Sequence, residues 1–196
     1  SVVKIAGESV PIAANLGAYS SQYGPMIPWF GMSMATGLYD IPAIDVACDL
    51  YFTNTVPVDA YRGAGRPEAT YVVERTMETA ARELGISPAE FRRKNFIRSF
   101  PHQTPVIMNY DAGDFEACLN AGMEAADVSG FEGRRAEAKS RGKLRGLGMS
   151  CYIEACGIAP SKAVGSLGAG VGLWESAEVR VNPVGTIEIL TGSHSH

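Results

Sequence analysis

Apolar and polar positions alternate cleanly between residues 43 and 53. Ile44, Val46, Cys48, Leu50 and Phe52 fall on one side, Asp45 and Asp49 on the other. A period of two predicts a half-buried strand. Residues 9–19 carry a weaker strand pattern centred on Val10 to Leu16, and the Gly/Pro/aromatic stretch from Tyr23 to Phe30 predicts a loop between the two. From Ala69 the period changes. Val72, Val73, Met77, Ala80, Ala81 and Leu84 recur at the spacing of one helix face, with Pro67 suited to the first turn and Gly85 to the stop. Ser87-Pro88-Ala89-Glu90 then predicts a capping box and a second helix. Its basic run, Arg92-Arg93-Lys94, is expected on a solvated face or at a subunit contact.

Residues 99–113 hold little periodicity and, with Pro101, Pro105 and Gly113, predict a linker. Asp114 follows as the N-cap of a helix with Phe115, Cys118, Leu119, Gly122, Met123 and Ala126 on one face. Ser129 to Glu132 predicts another capping box, opening a highly charged helix to Gly142. A strand is expected from Gly146 to about Glu154, then a glycine-rich span from Gly165 to Gly172. The chain closes on a predicted hairpin: Ala177, Val179 and Val181 alternate with Glu178 and Arg180, Asn182-Pro183-Val184-Gly185 turns, and Ile187 and Ile189 return. Strands before helices, then helices before strands, predict an α+β fold in two halves, 1–100 and 101–196.

Composition narrows the picture. The 196 residues suffice for a core and for one large domain or two small ones. An apolar content of 46% with a net charge of −4 excludes intrinsic disorder, and 21 acidic against 17 basic residues argues against nucleic acid as a partner. No leader is visible, and no apolar run reaches the ~18 residues of a membrane span. Cys48, Cys118, Cys151 and Cys156 show neither a CxxC pair nor zinc-ligand spacing. They read as reduced, packed thiols and point to the cytoplasm. The 22 glycines and 11 prolines exceed the usual share of roughly 12%, which suits a site built from loops. Both ends read as cut: Ser1 opens inside a strand region, and Gly192-Ser193-His194-Ser195-His196 follows a strand without a cap. The chain is therefore expected to be an internal piece of a longer protein.

One segment stands out for chemistry. In Ala60-Tyr61-Arg62-Gly63-Ala64-Gly65-Arg66-Pro67, two glycines permit close backbone approach, the helix start offers unpaired N–H groups, and two arginines add fixed positive charge. On residue chemistry alone it is either an anion cradle or a tight loop-to-helix turn with solvated arginines. It lacks the Lys-Ser/Thr of a Walker loop and the third spaced glycine of a Rossmann turn. Gly168 to Gly172 also departs from the Rossmann pattern and reads as a flexible loop. His194 and His196 have no third ligand in sequence, so no metal site is assigned. His102 is expected at the surface. Glu154, in an apolar stretch beside Cys156 and Gly157, is either an exposed strand-end acid or a carboxylate in an unusual environment.

The run from Asn54-Thr55-Val56-Pro57-Val58-Asp59 through Tyr61-Arg62-Gly63-Ala64-Gly65-Arg66-Pro67-Glu68-Ala69, Glu74-Arg75 and Ser87-Pro88-Ala89-Glu90-Phe91-Arg92-Arg93-Lys94-Asn95 is long and specific. It resembles the molybdenum-binding large subunit of the xanthine dehydrogenase / aldehyde oxidase / aerobic carbon monoxide dehydrogenase family. Leu190 to His196 resembles the approach to that family's Gly-Gln-Gly cofactor loop. The resemblance implies parts of two molybdopterin-binding domains: the end of the first over 1–100 and the start of the second over 101–196. It implies a molybdopterin cytosine dinucleotide cofactor with molybdenum, and oxidation of a small organic substrate (an aldehyde or N-heterocycle) with oxygen derived from water. Electrons would pass to 2Fe-2S clusters and FAD on a small and a medium partner subunit, in a dimer of heterotrimers.

Position by position, the resemblance places Arg62, Gly63, Ala64, Gly65 and His196 at the cofactor, and Ala64, Tyr152 and Glu154 along the substrate channel. Ala64 falls where purine-oxidising members carry a stacking phenylalanine, which speaks against a purine. Gly63 falls where molybdenum-copper carbon monoxide dehydrogenases carry the cysteine that holds copper, and glycine offers no ligand. The implied branch is the glycine-bearing, carbon monoxide dehydrogenase-like one. The catalytic glutamate that acts as general base is expected outside these residues, so the chain alone is expected to be inactive. Two alternatives remain: carbon monoxide oxidation without the copper-binding cysteine, and a non-catalytic anion-binding or assembly module.

Overall fold

The computed structural model describes residues 3–154, 165 and 176–193. They belong to two compact units, Ser1–Glu154 and Ala155–His196. In the first, β1 (Glu8–Gly17) and β2 (Ile44–Phe52) pair in parallel, Glu8 opposite Ile44 and Gly17 opposite Phe52. β1 alternates along most of its length and β2 from Ile44 to Asp49, whereas Leu50 and Phe52, expected on the inward side, are exposed.

Parallel neighbours need a crossover. Here it contains α1 (Met26–Ser33), which replaces most of the loop expected over Tyr23–Phe30. The prolines do not forbid this helix. Pro25 lies at its N-cap with φ −65°, and Pro28 falls in the first turn, where the missing N–H has no intrahelical acceptor in any case.

The core forms where α2 (Arg66–Glu83) and α3 (Pro88–Asn95) meet the turns after α1. Val73, Met77 and Ala81 of α2 pack with Leu38, Tyr39, Phe91 and Phe96, and the Tyr39 and Phe96 rings stack at 5.7 Å. The predicted stripe holds along α2, although Val72 and Leu84 lie at its exposed edge. Pro67 and Gly85 take their expected places, Gly85 with φ +65°. The capping box at Ser87 is not made. That side chain caps nothing, and Pro88 alone presets the first turn.

Three further expectations change. The segment 99–113 is no free linker: β3 (His102–Gln103) and β4 (Asn109–Tyr110) pair antiparallel, and buried Tyr110 donates its hydroxyl to the Gly37 carbonyl at 2.9 Å. Asp114 caps α4 (Phe115–Ala125) through the Ala117 N–H, as expected. The next helix, α5 (Phe131–Ser140), is not opened by Ser129. A 3-10 turn over Val128–Gly130 precedes it, and the Asp127 carboxylate accepts the Gly130 N–H in that turn. Finally, residues 143–154 have no strand partner among the described residues. Met149, Cys151 and Ile153 still alternate inward onto the core, so the period of two is real but unpaired.

In the second unit, β5 (Ala177–Val181) and β6 (Ile187–Thr191) form the predicted hairpin, with Gly185 at φ +85° in its turn. Mixed helix and strand bears out the α+β class. No helix among the described residues is long and apolar enough to cross a membrane.

Candidate functional site

The loop that ends at α2 has an unusual backbone. Gly63, Ala64 and Gly65 have φ of +105°, +40° and +93°, three consecutive residues in a region that favours glycine. Two close approaches require this. A Cβ on Gly65 would overlap the Ile27 carbonyl of α1 and lie 2.6 Å from the Gly31 N, and one on Gly31 would lie 3.0 Å from the Gly65 carbonyl. A Cβ on Gly63 would lie 2.8 Å from the Pro67 ring. The turn is closed by Ala64 N–H donating to the Tyr61 carbonyl at 2.8 Å and Arg66 N–H donating to the Gly63 carbonyl at 3.1 Å.

That arrangement leaves donors unused among the described residues. The Arg62 and Gly63 N–H groups have no acceptor among the described residues, and the exposed Arg62 guanidinium has no ion pair among them. Unpaired N–H groups, a guanidinium and the positive end of an 18-residue helix make a donor set for an anionic group. Such a set fits the phosphate or sulfur-rich end of a pterin cofactor.

The second arginine of the loop is already engaged. Arg66 forms an ion pair with Glu154 through its buried Nε, without the alignment of a hydrogen bond. Glu154, the carboxylate singled out from the sequence, is thus brought to the loop from 88 positions along the chain. Tyr152 is not. It is exposed and lines a cavity of about 450 Å³ with Cys118, Met123 and Cys151, and no described contact joins it to residues 62–65. Gly65 instead borders an apolar cavity of about 220 Å³ between the inward face of β1 (Val10, Ile12, Ala14) and helices α1 and α2. His194, His196, Cys156 and the Gly165–Gly172 span, apart from residue 165, lie outside the described residues.

Behind the loop is a buried charged cluster that sequence reasoning missed. Arg92, expected in a solvated run, is fully buried. Its Nε and Nη2 donate to Glu74 Oε2 at 3.0 and 2.9 Å, and its Nη1 to Glu78 Oε2 at 3.4 Å and to the Pro88 carbonyl at 3.2 Å. The Tyr39 hydroxyl donates to Glu74 Oε1, and the Cys151 N–H to Glu74 Oε2 at 2.8 Å. Burial opposes the Arg92 charge, yet the Glu74 carboxylate outweighs it and holds the guanidinium above its ordinary pKa. Burial, then Glu74, push the Tyr39 hydroxyl far up, and the same two causes push the Cys151 thiol up to about 11. A signal existed in the sequence. Pro88, Phe91, Arg92 and Asn95 recur at one-face helical spacing, so Arg92 shares the buried stripe with Phe91.

Comparison with known proteins gives the frame. A family model described as a molybdopterin cofactor-binding domain matches residues 3–96, and a second of the same description matches residues 121–196. The chain is 34% identical over 160 residues to the nicotine 6-hydroxylase large subunit of Paenarthrobacter nicotinovorans, covering 82% of this chain and 20% of that one. It is 35% identical over 192 residues to the carbon monoxide dehydrogenase large chain of Hydrogenophaga pseudoflava, covering 93% and 24%. The crystal structure of quinoline 2-oxidoreductase from Pseudomonas putida 86 superposes with a TM-score of 0.75 at 29% identity, over 95% of this chain and 25% of that one. The chain thus spans about a fifth to a quarter of the length of the curated relatives it matches. The donor-rich loop at Arg62 falls within the first matched region, and Glu154 within the second. By these matches the chain belongs to the molybdopterin cofactor-binding family, that of the molybdenum-binding large subunits of xanthine dehydrogenase and carbon monoxide dehydrogenase.

Proposed function

We propose that this chain contributes the loop face of a molybdopterin site in a molybdenum hydroxylase large subunit. The observation that carries the reading is the Arg62–Gly65 turn: backbone N–H groups and a guanidinium without partners among the described residues, at a helix start, within a matched cofactor-binding domain. Arg62 and Gly63 would hold the cofactor through their N–H groups, with Ala64 and Gly65 keeping the backbone close enough to do so. His196 is assigned to the same cofactor by the resemblance alone. The bound group supplies the chemistry of inserting water-derived oxygen into a C–H bond. The residues of this chain bind and orient: Arg62 presents positive charge, Ala64 and Glu154 border the approach of substrate, and Tyr152 belongs to that channel by resemblance. The base that moves the proton is assigned to no residue here.

In the same reading, residues 1–100 close the first cofactor-binding domain and 101–196 open the second. The cofactor is the cytosine dinucleotide form, and electrons leave to a 2Fe-2S small subunit and an FAD medium subunit in a cytoplasmic dimer of heterotrimers. An aldehyde or N-heterocycle is favoured over carbon monoxide because Gly63 supplies no copper ligand. With φ at +105° and the Pro67 ring against its Cβ direction, the loop has no room for a cysteine there without rebuilding. The test is turnover by the full-length complex in 18O-labelled water with a panel of aldehydes and N-heterocycles. Label in the product supports the reading. Carbon monoxide oxidation without copper would replace it, and an intact complex inactive on every compound and free of pterin would leave only an anion-binding or assembly module.

A further inference from the structure

Residues 143–154 carry Glu154 to the loop without a strand partner among the described residues, so something other than a sheet must set their register. Met149, Cys151 and Ile153 pack on the core, and a few polar contacts add direction to that packing. The Cys151 N–H donates to Glu74 Oε2 at 2.8 Å, the Met149 carbonyl accepts from Arg92 Nη2 at 3.4 Å, and Glu154 pairs with Arg66. Two of these anchors, Glu74 and Arg66, are eight positions apart on α2, a rise of about 12 Å. Cys151 and Glu154 are three residues apart in extended chain, about 10 Å. The two spacings match, so the segment runs along α2 toward its N-terminus and delivers Glu154 to the loop. A slip of one residue would exchange the inward Cys151 and Ile153 for the outward Tyr152 and Glu154.

We propose that Glu74 is a positioning residue: held by Arg92 and Tyr39, it fixes the register of residues 149–154 along α2 and thereby seats Glu154 on Arg66. The consequence reaches the loop. With Arg66 neutralised by Glu154, Arg62 is the guanidinium left to meet an anion. This role rests on the proposed function for its catalytic meaning, but not for its test.

The experiment is amide hydrogen exchange on the full-length complex, wild type and Glu74→Met/Arg92→Met. The double change removes both charges together, so neither is left buried alone. In the wild type the Cys151 amide is expected among the slow exchangers, with Met77 and Ala81. In the double variant Met77 and Ala81 stay protected, whereas Cys151 exchanges faster by about tenfold or more. Fast exchange of Cys151 in the wild type overturns the proposal with no variant needed, as does unchanged protection in a folded double variant. In the full-length holoenzyme the same double change is expected to raise KM with molybdenum content and kcat retained. A KM that does not move while Cys151 is released would refute the assignment of Glu154 to the channel and leave the register role standing.

Discussion

Arg62 and Arg92 carry the same charge on either side of one helix and meet opposite surroundings. Every donor direction of Arg92 is committed, to Glu74, Glu78, Pro88 and Met149, and its side chain is wholly buried. Arg62 is exposed beside a backbone whose N–H groups also have no acceptor among the described residues. A buried ion pair is weak evidence of net stability, since desolvation offsets much of the attraction. What it does supply is a fixed geometry. A guanidinium with no partner among the described residues makes no contact that stabilises the fold, and its place on a strained turn suits a role in binding. The difference teaches where to look for function: at donors the fold leaves unsatisfied.

The contrast can be broken by mutation. Arg92→Met alone leaves Glu74 buried without its countercharge and is expected to cost about 3–5 kcal/mol in urea unfolding. A change below about 1 kcal/mol would mean that water reaches the cluster. Gly65→Ala forces a methyl against the Ile27 carbonyl at φ +93° and is expected to cost about 1–3 kcal/mol, visible as a lower Tm.

The Cys151 thiol sharpens the same picture through pH. Its folded pKa, about 11, lies above the ordinary value of 9.0, so the folded state holds the proton more tightly. The resulting stability is full below pH 9 and is lost as pH rises from 9 to 11. Cys151→Ala should flatten that part of the stability profile, and labelling with a thiol reagent should reach exposed Cys118 well before Cys151 at pH 8. The smallest effect belongs to Arg62→Ala, expected within about 0.5 kcal/mol of wild type in unfolding. The same change in the full-length subunit should lower cofactor retention.

Much of the fold was legible. The period-two run at 43–53, the α2 stripe, the Asp114 cap and the final hairpin all follow from local pattern. The misses have physical causes. Tyr23–Phe30 looked like a loop because two prolines and a glycine stand among its aromatic residues, but Pro25 and Pro28 occupy the positions where a helix tolerates proline. Tyr110 is buried by tertiary contacts that no periodicity in 99–113 announces. The strand expected after Gly146 has the right alternation, but pairing depends on partners that a single segment cannot reveal. Arg92 was misread because its basic neighbours suggested a solvated run, while its spacing from Phe91 and Asn95 placed it inside. At the site, Arg62 to Gly65 and Glu154 were found by residue type and resemblance. Their meeting through Arg66 was not, since the partners lie 88 positions apart in the chain.

The most direct measurement of the central claim is the molybdenum and cytidine-nucleotide content of the purified full-length complex. About one of each per large subunit is expected, falling in Arg62→Ala while the subunits stay assembled. An intact, folded complex that contains neither would contradict the assignment of the Arg62–Gly65 loop to a molybdopterin site.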